Sequence, residues 1–208
     1  MTNDEEESTA VTQLIVWEVA ETAGFETAWI STNGLALHAA GHAAGQLPEP
    51  YWVDYRLAVD GEGVTASLDV CVKTAQLTRE LALRNDRGWT VDGRPRPDLA
   101  GAIDCDLAWS PVTNSPPIRR SGLHTSQGSA DFTMAFVELP GLRVRAAKQS
   151  YEHQGIEAAG ARVRYRSGSF VSDLLVDDDG LVIDYPTMAR RVRPARFTPG
   201  AGQSARPR

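Results

Sequence analysis

The sequence predicts an all-β, mainly antiparallel domain. Three observations carry that reading. Short runs of alternating apolar and polar residues recur along the chain, turn signals separate them at regular spacing, and helix signals are nearly absent. No sharp change of composition and no internal repeat divides the chain, so the runs belong to one domain. Alternation by itself does not separate a sandwich from a barrel or a roll.

The elements follow in order. Residues 1–12 open with a polar, acidic stretch without periodicity and read as a disordered lead. Leu14–Val19 is the first strand, with Ile15, Trp17 and Val19 opposing Leu14, Val16 and Glu18. Phe25–Ser31 is the second, and Asn33-Gly34 makes a tight turn. Leu35–Gly45 is rich in alanine, and Gly41 and Gly45 count against a helix there. Tyr51–Asp60 turns Val53, Tyr55, Leu57 and Val59 toward a core. Val64–Lys73 sets Val64, Ala66, Leu68, Val70 and Val72 on one face. Gln76–Arg84 repeats the pattern, Trp89–Val91 is short, and Arg94–Pro97 is a proline-broken loop.

Ser129–Leu139 carries Phe132, Met134 and Phe136 on one side. In Leu142–Tyr151, Arg143 and Arg145 alternate with Leu142, Val144 and Ala146. Gln154–Gly160 reads as a loop. Ala161–Ser167 places Arg162, Arg164 and Arg166 on one face, and strands at Ser169–Val176, Leu181–Tyr185 and Met188–Arg193 close a folded region spanning 13–193. Residues 194–208 read as a disordered tail.

Between these halves lies the stretch Ile103–Leu123. Ile103, Cys105, Leu107 and Trp109 fall on one side of a strand, and Asp104 and Asp106 on the other. Ser110-Pro111 ends the strand. Thr113, Asn114 and Ser115 offer capping oxygens, Pro116 and Pro117 suit a first helical turn, and Gly122 stops it. The single helix is thus expected over Thr113–Ser121. A residue before proline is pushed out of the helical region, so Ser115 and Pro116 are the least favourable positions in that span.

Two blocks, CDLAWSPVTNSPPIRR and DGLVIDYPTMARRV, resemble the signature of the family called putative glycolipid-binding. Weaker agreement comes from YRLAVD and RGWTVDG, and the resemblance runs from about Val16 to Val192. It implies a spiral β-roll, in which a many-stranded sheet wraps around a single helix, and a strand at Leu35–Gly45. It also implies a homodimer that binds a glycolipid or another amphiphile.

Composition bounds the partners. The chain has 208 residues with 42% hydrophobic and 23% charged, ordinary for a folded domain. A net charge of −6 argues against nucleic acid and against docking on an anionic membrane. No apolar run is long enough to span a bilayer, and the acidic start is unlike a secretory signal, so a cytoplasmic protein is expected. Cys71 and Cys105 read as buried free thiols.

The candidate site is Asp104, Asp106, Trp109, Asn114, Arg119, Arg120 and Tyr185. Arg119 and Arg120 project about 100° apart on a helix, so at most one easily faces inward. An inward guanidinium either grips an anionic or sugar head group or pairs with Asp104 or Asp106, because a buried arginine needs a partner. The aspartates also read as a weak glycosidase pair, roughly 6.5–7 Å apart along the strand. Neighbouring arginines would depress both acidities, which is wrong for a general acid. No G-x-S-x-G elbow, phosphate loop or cofactor motif is present, and His38 and His42 merely share a strand face. The arginine stripes read as solvated faces balanced by acids, and the five tryptophans read as core or as the lining of a cavity. The expected activity is therefore non-catalytic binding, with an acyl chain inside the roll and the polar head near Arg119 or Arg120. The alternatives are a module with a filled core and no ligand, or a hydrolase using Asp104 or Asp106.

Overall fold

The computed structural model describes residues 11–192. The predicted tail and most of the predicted lead lie outside the described residues, although the first strand already starts at Val11. Fifteen strands form one sheet. They are β1 (Val11–Val19), β2 (Gly24–Asn33), β3 (Ala36–Gly45), β4 (Tyr51–Val59), β5 (Thr65–Thr74), β6 (Thr78–Asn85), β7 (Trp89–Val91) and β8 (Arg94–Pro95) in the first half. The second half supplies β9 (Ala102–Leu107), β10 (Ser129–Val137), β11 (Val144–Glu157), β12 (Gly160–Ser167), β13 (Phe170–Val176), β14 (Val182–Tyr185) and β15 (Ala189–Arg191). One helix, α1 (Ser115–Arg120), follows a tight turn at Pro111–Asn114.

The sheet runs from β8 back to β1, then from β15 back to β9, and the halves join where β1 pairs antiparallel with β15. Only β9 and β10 pair in parallel. The sheet does not close. Its last strand instead tucks against the inner face of the first half. Cys105 N donates to Thr65 Oγ1 on β5, and the buried Trp89 donates its indole N–H to Ala102 O at 2.8 Å. This overlap makes the sheet a spiral roll, as expected. Alternation holds in β1 and β4, where Ile15, Trp17, Val19, Val53, Tyr55, Leu57 and Val59 are all buried. Trp17 satisfies its N–H on Val182 O, which ties β1 to β14 across the seam.

Several expectations need correction, each for a local reason. A bulge at Ala58/Val59 shifts the register of β5, so Thr65 turns inward and Ala66 does not. In β11 the inward parity moves from Val144 to Ala147, which leaves Ala146 exposed. The loop expected from Gln154 is strand to Glu157, because β11 and β12 pair to their tips through a bulge at His153/Gly155. Arg94–Pro95 is a short edge strand. Cys71 is partly exposed. Trp17 and Trp89 are core, whereas Trp29 and Trp52 are more than half exposed. The strand β9 is covered on both faces beyond Ile103, so its acids are as buried as Cys105 and Leu107, and Ile103 is 36% exposed. Trp109 is no longer strand: it has φ +62°.

The helix starts at Ser115, which is helical (φ −70°, ψ −43°) although it precedes Pro116. No side chain caps it. Two prolines in the first turn remove N–H donors that a cap would otherwise have to satisfy. Both arginines are held, each in its own direction. Arg120 makes a bidentate pair with Asp104 (3.0 and 2.6 Å) and donates to Gly63 O at 2.6 Å. Arg119 donates to Gly34 O at 2.6 Å and to Asp179 O. Gly63 (φ +79°) and Gly180 (φ +73°) sit in the turns these side chains cross, and a Cβ at Gly180 would stand 2.8 Å from Arg119 Cγ.

Asp104 has no exposed surface, and burial raises its pKa despite the guanidinium beside it. Removing Arg120 would strand it. Arg120→Ala is expected to cost about 3–5 kcal/mol in urea unfolding, whereas Arg120→Ala with Asp104→Leu should recover much of that loss.

Candidate functional site

The turn from β9 into α1 forms the floor of a cleft of about 230 Å³ at one end of the roll. Asp106, Trp109, Asn114 and Tyr185 line it together with Tyr165 and Phe170. Four of the seven candidate residues therefore meet in one opening. Asp104, Arg119 and Arg120 do not line it. Their terminal polar atoms make the contacts that anchor the helix, and of these three residues only Arg119 has a buried atom, Nε, without a partner among the described residues.

A continuous polar chain runs under the cleft. Asn114 Nδ2 donates to Tyr151 OH at 3.1 Å, Tyr151 donates to Gln149 Oε1 at 3.0 Å, and Gln149 Nε2 donates to Asp106 Oδ2 at 2.5 Å. Thr113 Oγ1 lies 2.8 Å from Asp106 Oδ1 and 3.1 Å from Ser110 O. Burial pushes the Asp106 carboxyl up to about 6, against the pull of Thr113 and Gln149. A protonated Asp106 can donate to Thr113, which frees the threonine hydrogen for the Ser110 carbonyl. Of the two helix arginines expected to depress both acidities, only Arg120 acts, and only on Asp104, where burial outweighs it; Asp106 is lowered by Arg145 instead, again less than burial raises it. Asn114 Oδ1 is buried and has no hydrogen-bond partner among the described residues.

Aromatic rings surround this chain. Tyr165 packs on Tyr151, Phe170 and Tyr185 with centroids 5.2 to 6.0 Å apart. Trp109 stacks on Tyr51 at 6.0 Å. Its left-handed backbone costs on the order of 1–3 kcal/mol in a non-glycine residue and is held by that stacking and by the Ser110 N to Leu107 O bond. Arg145 lies over Phe136 at the mouth, with its charge met by Glu138.

Behind Trp109, Glu26 is buried on β2. Its Oε1 accepts from Tyr55 and Ser110, its Oε2 has no partner among the described residues, and burial pushes its pKa up to about 7. The void beside it is about 10 Å³, room for one water at most.

Sequence reading missed Gln149, Tyr151 and Glu26. The signal for Gln149 was present as a polar residue in a strand, but its facing depended on the parity change within β11. The two aspartates do not open onto one space. The arginine stripe is neutralised: Arg162, Arg164 and Arg166 pair with Glu157, Asp173 and Glu152. No group of three or more His, Cys, Asp or Glu suited to a metal ion occurs among the described residues, and none of its helices is long and apolar enough to cross a membrane.

The sequence profile of the family described as Putative glycolipid-binding matches residues 14–191. The crystal structure of a DUF1089 family protein from Pseudomonas aeruginosa is similar over 92% of this chain and 97% of that one, with a TM-score of 0.66 and 29% identity. No curated protein matches the chain.

The raised carboxyl at Asp106 has a consequence for stability. Its folded pKa of about 6 lies above the ordinary 3.8, so between these values the folded state binds more protons than the unfolded state. Stability contributed by this group is therefore present below pH 4 and lost as pH rises toward 6, by about 3 kcal/mol in all. Asp106→Asn should flatten that part of the pH dependence, measured by urea unfolding at half-unit steps from pH 4 to 7.

Proposed function

The chain belongs to the family described as Putative glycolipid-binding, and we propose that it binds an amphiphile whose sugar head enters the cleft over Asp106 and Asn114. The observation that carries this reading is the unpartnered Asn114 Oδ1, a buried acceptor set among aromatic rings. A sugar ring offers hydroxyl donors for such an acceptor and C–H faces for Trp109, Phe170 and Tyr185. A volume of about 230 Å³ suits one ring and not a whole lipid.

In this reading the head group lies away from Arg119 and Arg120, whose terminal donors reach Gly34, Asp179, Gly63 and Asp104. It also has the acyl chain outside the roll. The buried side chains form one packed cluster, so the chain leaves by the cleft mouth past Phe170, which is 42% exposed. Binding without turnover is the reading we favour, since both oxygens of Asp106 are held by Thr113 and Gln149. The packed interior favours one alternative, a module with no small ligand. A cytoplasmic homodimer completes the reading. Light scattering tests the dimer.

Native mass spectrometry of detergent-free protein titrated with an alkyl glucoside separates the two readings. A one-to-one adduct is expected, and its affinity should fall about two- to tenfold in Asn114→Ala, the worth of one neutral hydrogen bond, and similarly in Phe170→Ala. A protein that stays unliganded throughout the titration would leave the filled module as the better account.

A further inference from the structure

A second concavity lies on the outer face of the roll and shares no lining residue with the cleft. It is a trough of about 850 Å³ across β1 to β6. Five strand spacings give it a length of roughly 24 Å.

The strand β2 is inverted with respect to polarity. It buries Glu26 and turns Phe25 and Trp29 outward, and Trp29 is 56% exposed. Trp29 stands opposite Leu14 on β1 and Ala40 on β3, and together they make one apolar wall over a floor of small residues. Beyond that floor the same cross-strand row continues through Arg56 and Asp69, and the next row carries His42, Asp54 and Glu80. Some of these groups are fixed in place. Asp54 Oδ1 lies 2.7 Å from His42 Nδ1, and Asp69 Oδ1 lies 2.7 Å from Arg84. Arg56 and Glu80 have no hydrogen-bond partner among the described residues, so donors and acceptors stand free along one groove.

This mixture selects the ligand. An acyl chain would cover Arg56, Asp54 and Glu80 without satisfying them. A polyanion meets Asp54, Asp69 and Glu80, and a polycation meets Arg56 in the middle of the groove. A neutral sugar chain donates and accepts at every hydroxyl and presents C–H faces to an indole. The length suits several rings. We propose that the trough binds a neutral oligosaccharide laid across the strands, with Trp29 as its stacking platform and Asp54, Arg56 and Glu80 as its hydroxyl partners.

Calorimetric titration of the full chain with neutral hexasaccharides of glucose and of mannose tests this. At least one should bind. Trp29→Ala should weaken binding tenfold or more, Trp29→Phe should restore part of it, and Phe170→Ala in the cleft should leave it unchanged. Because Trp29 is a surface residue, its variants should melt with the wild type. Absence of binding to every hexasaccharide, binding that survives Trp29→Ala, or binding lost in Phe170→Ala would overturn the proposal. The last result would place the sugar in the cleft and leave the preceding reading standing. Loss of alkyl glucoside binding in Phe170→Ala alone bears on the cleft and not on the trough.

Discussion

The structure depends on two arginines leaving a six-residue helix in different directions. A helix of that length does not hold its shape in isolation. Here Arg120 reaches Asp104 and the Gly63 carbonyl, and Arg119 reaches the carbonyls of Gly34 and Asp179. These partners come from β9 and from three separate turns, β2–β3, β4–β5 and β13–β14. The helix is a pin through the roll. Its fastenings reach both halves of the sheet, which otherwise meet at the seam between β1 and β15.

The same corner explains how anchoring and an open cleft coexist in one short stretch. The arginines at the end of the helix are consumed by the pin. Before it, Trp109, Ser110 and Asn114 line the cleft, and Thr113 joins the polar chain beneath it. Along β9 the two aspartates divide the same way, with Asp104 serving the pin and Asp106 the cleft. The second signature block takes part in both: Asp179 holds Arg119, and Tyr185 lines the cleft. Burial makes a charge at Asp106 costly, and its two oxygens are met by Thr113 and Gln149.

Much of the candidate site was legible in the residue pattern, but the roles were not. Acids alternating with apolar residues, then capping residues, prolines and arginines, mark a polar corner wherever they occur. Which arginine meets which acid depends on distances between elements far apart in sequence. The pairing of Arg120 with Asp104 spans 16 residues, and that of Arg119 with Gly34 spans 85. Gln149 and Tyr151 join the polar chain under the cleft only because the inward parity of β11 changes, which no local signal announces. Glu26 was invisible as a core residue because a strand reads its polar positions as outward.

The sequence alone determined the strands, the turns between them, the lone helix and the fold class, because alternation and turn chemistry act over a few neighbouring residues. Tertiary structure decided the rest. Curling the sheet brought β9 under β5 and β7 and buried both faces of a strand that looked half exposed. Those outcomes follow from long-range packing, where a bulge of one residue or the reach of one guanidinium changes which side chains share a space.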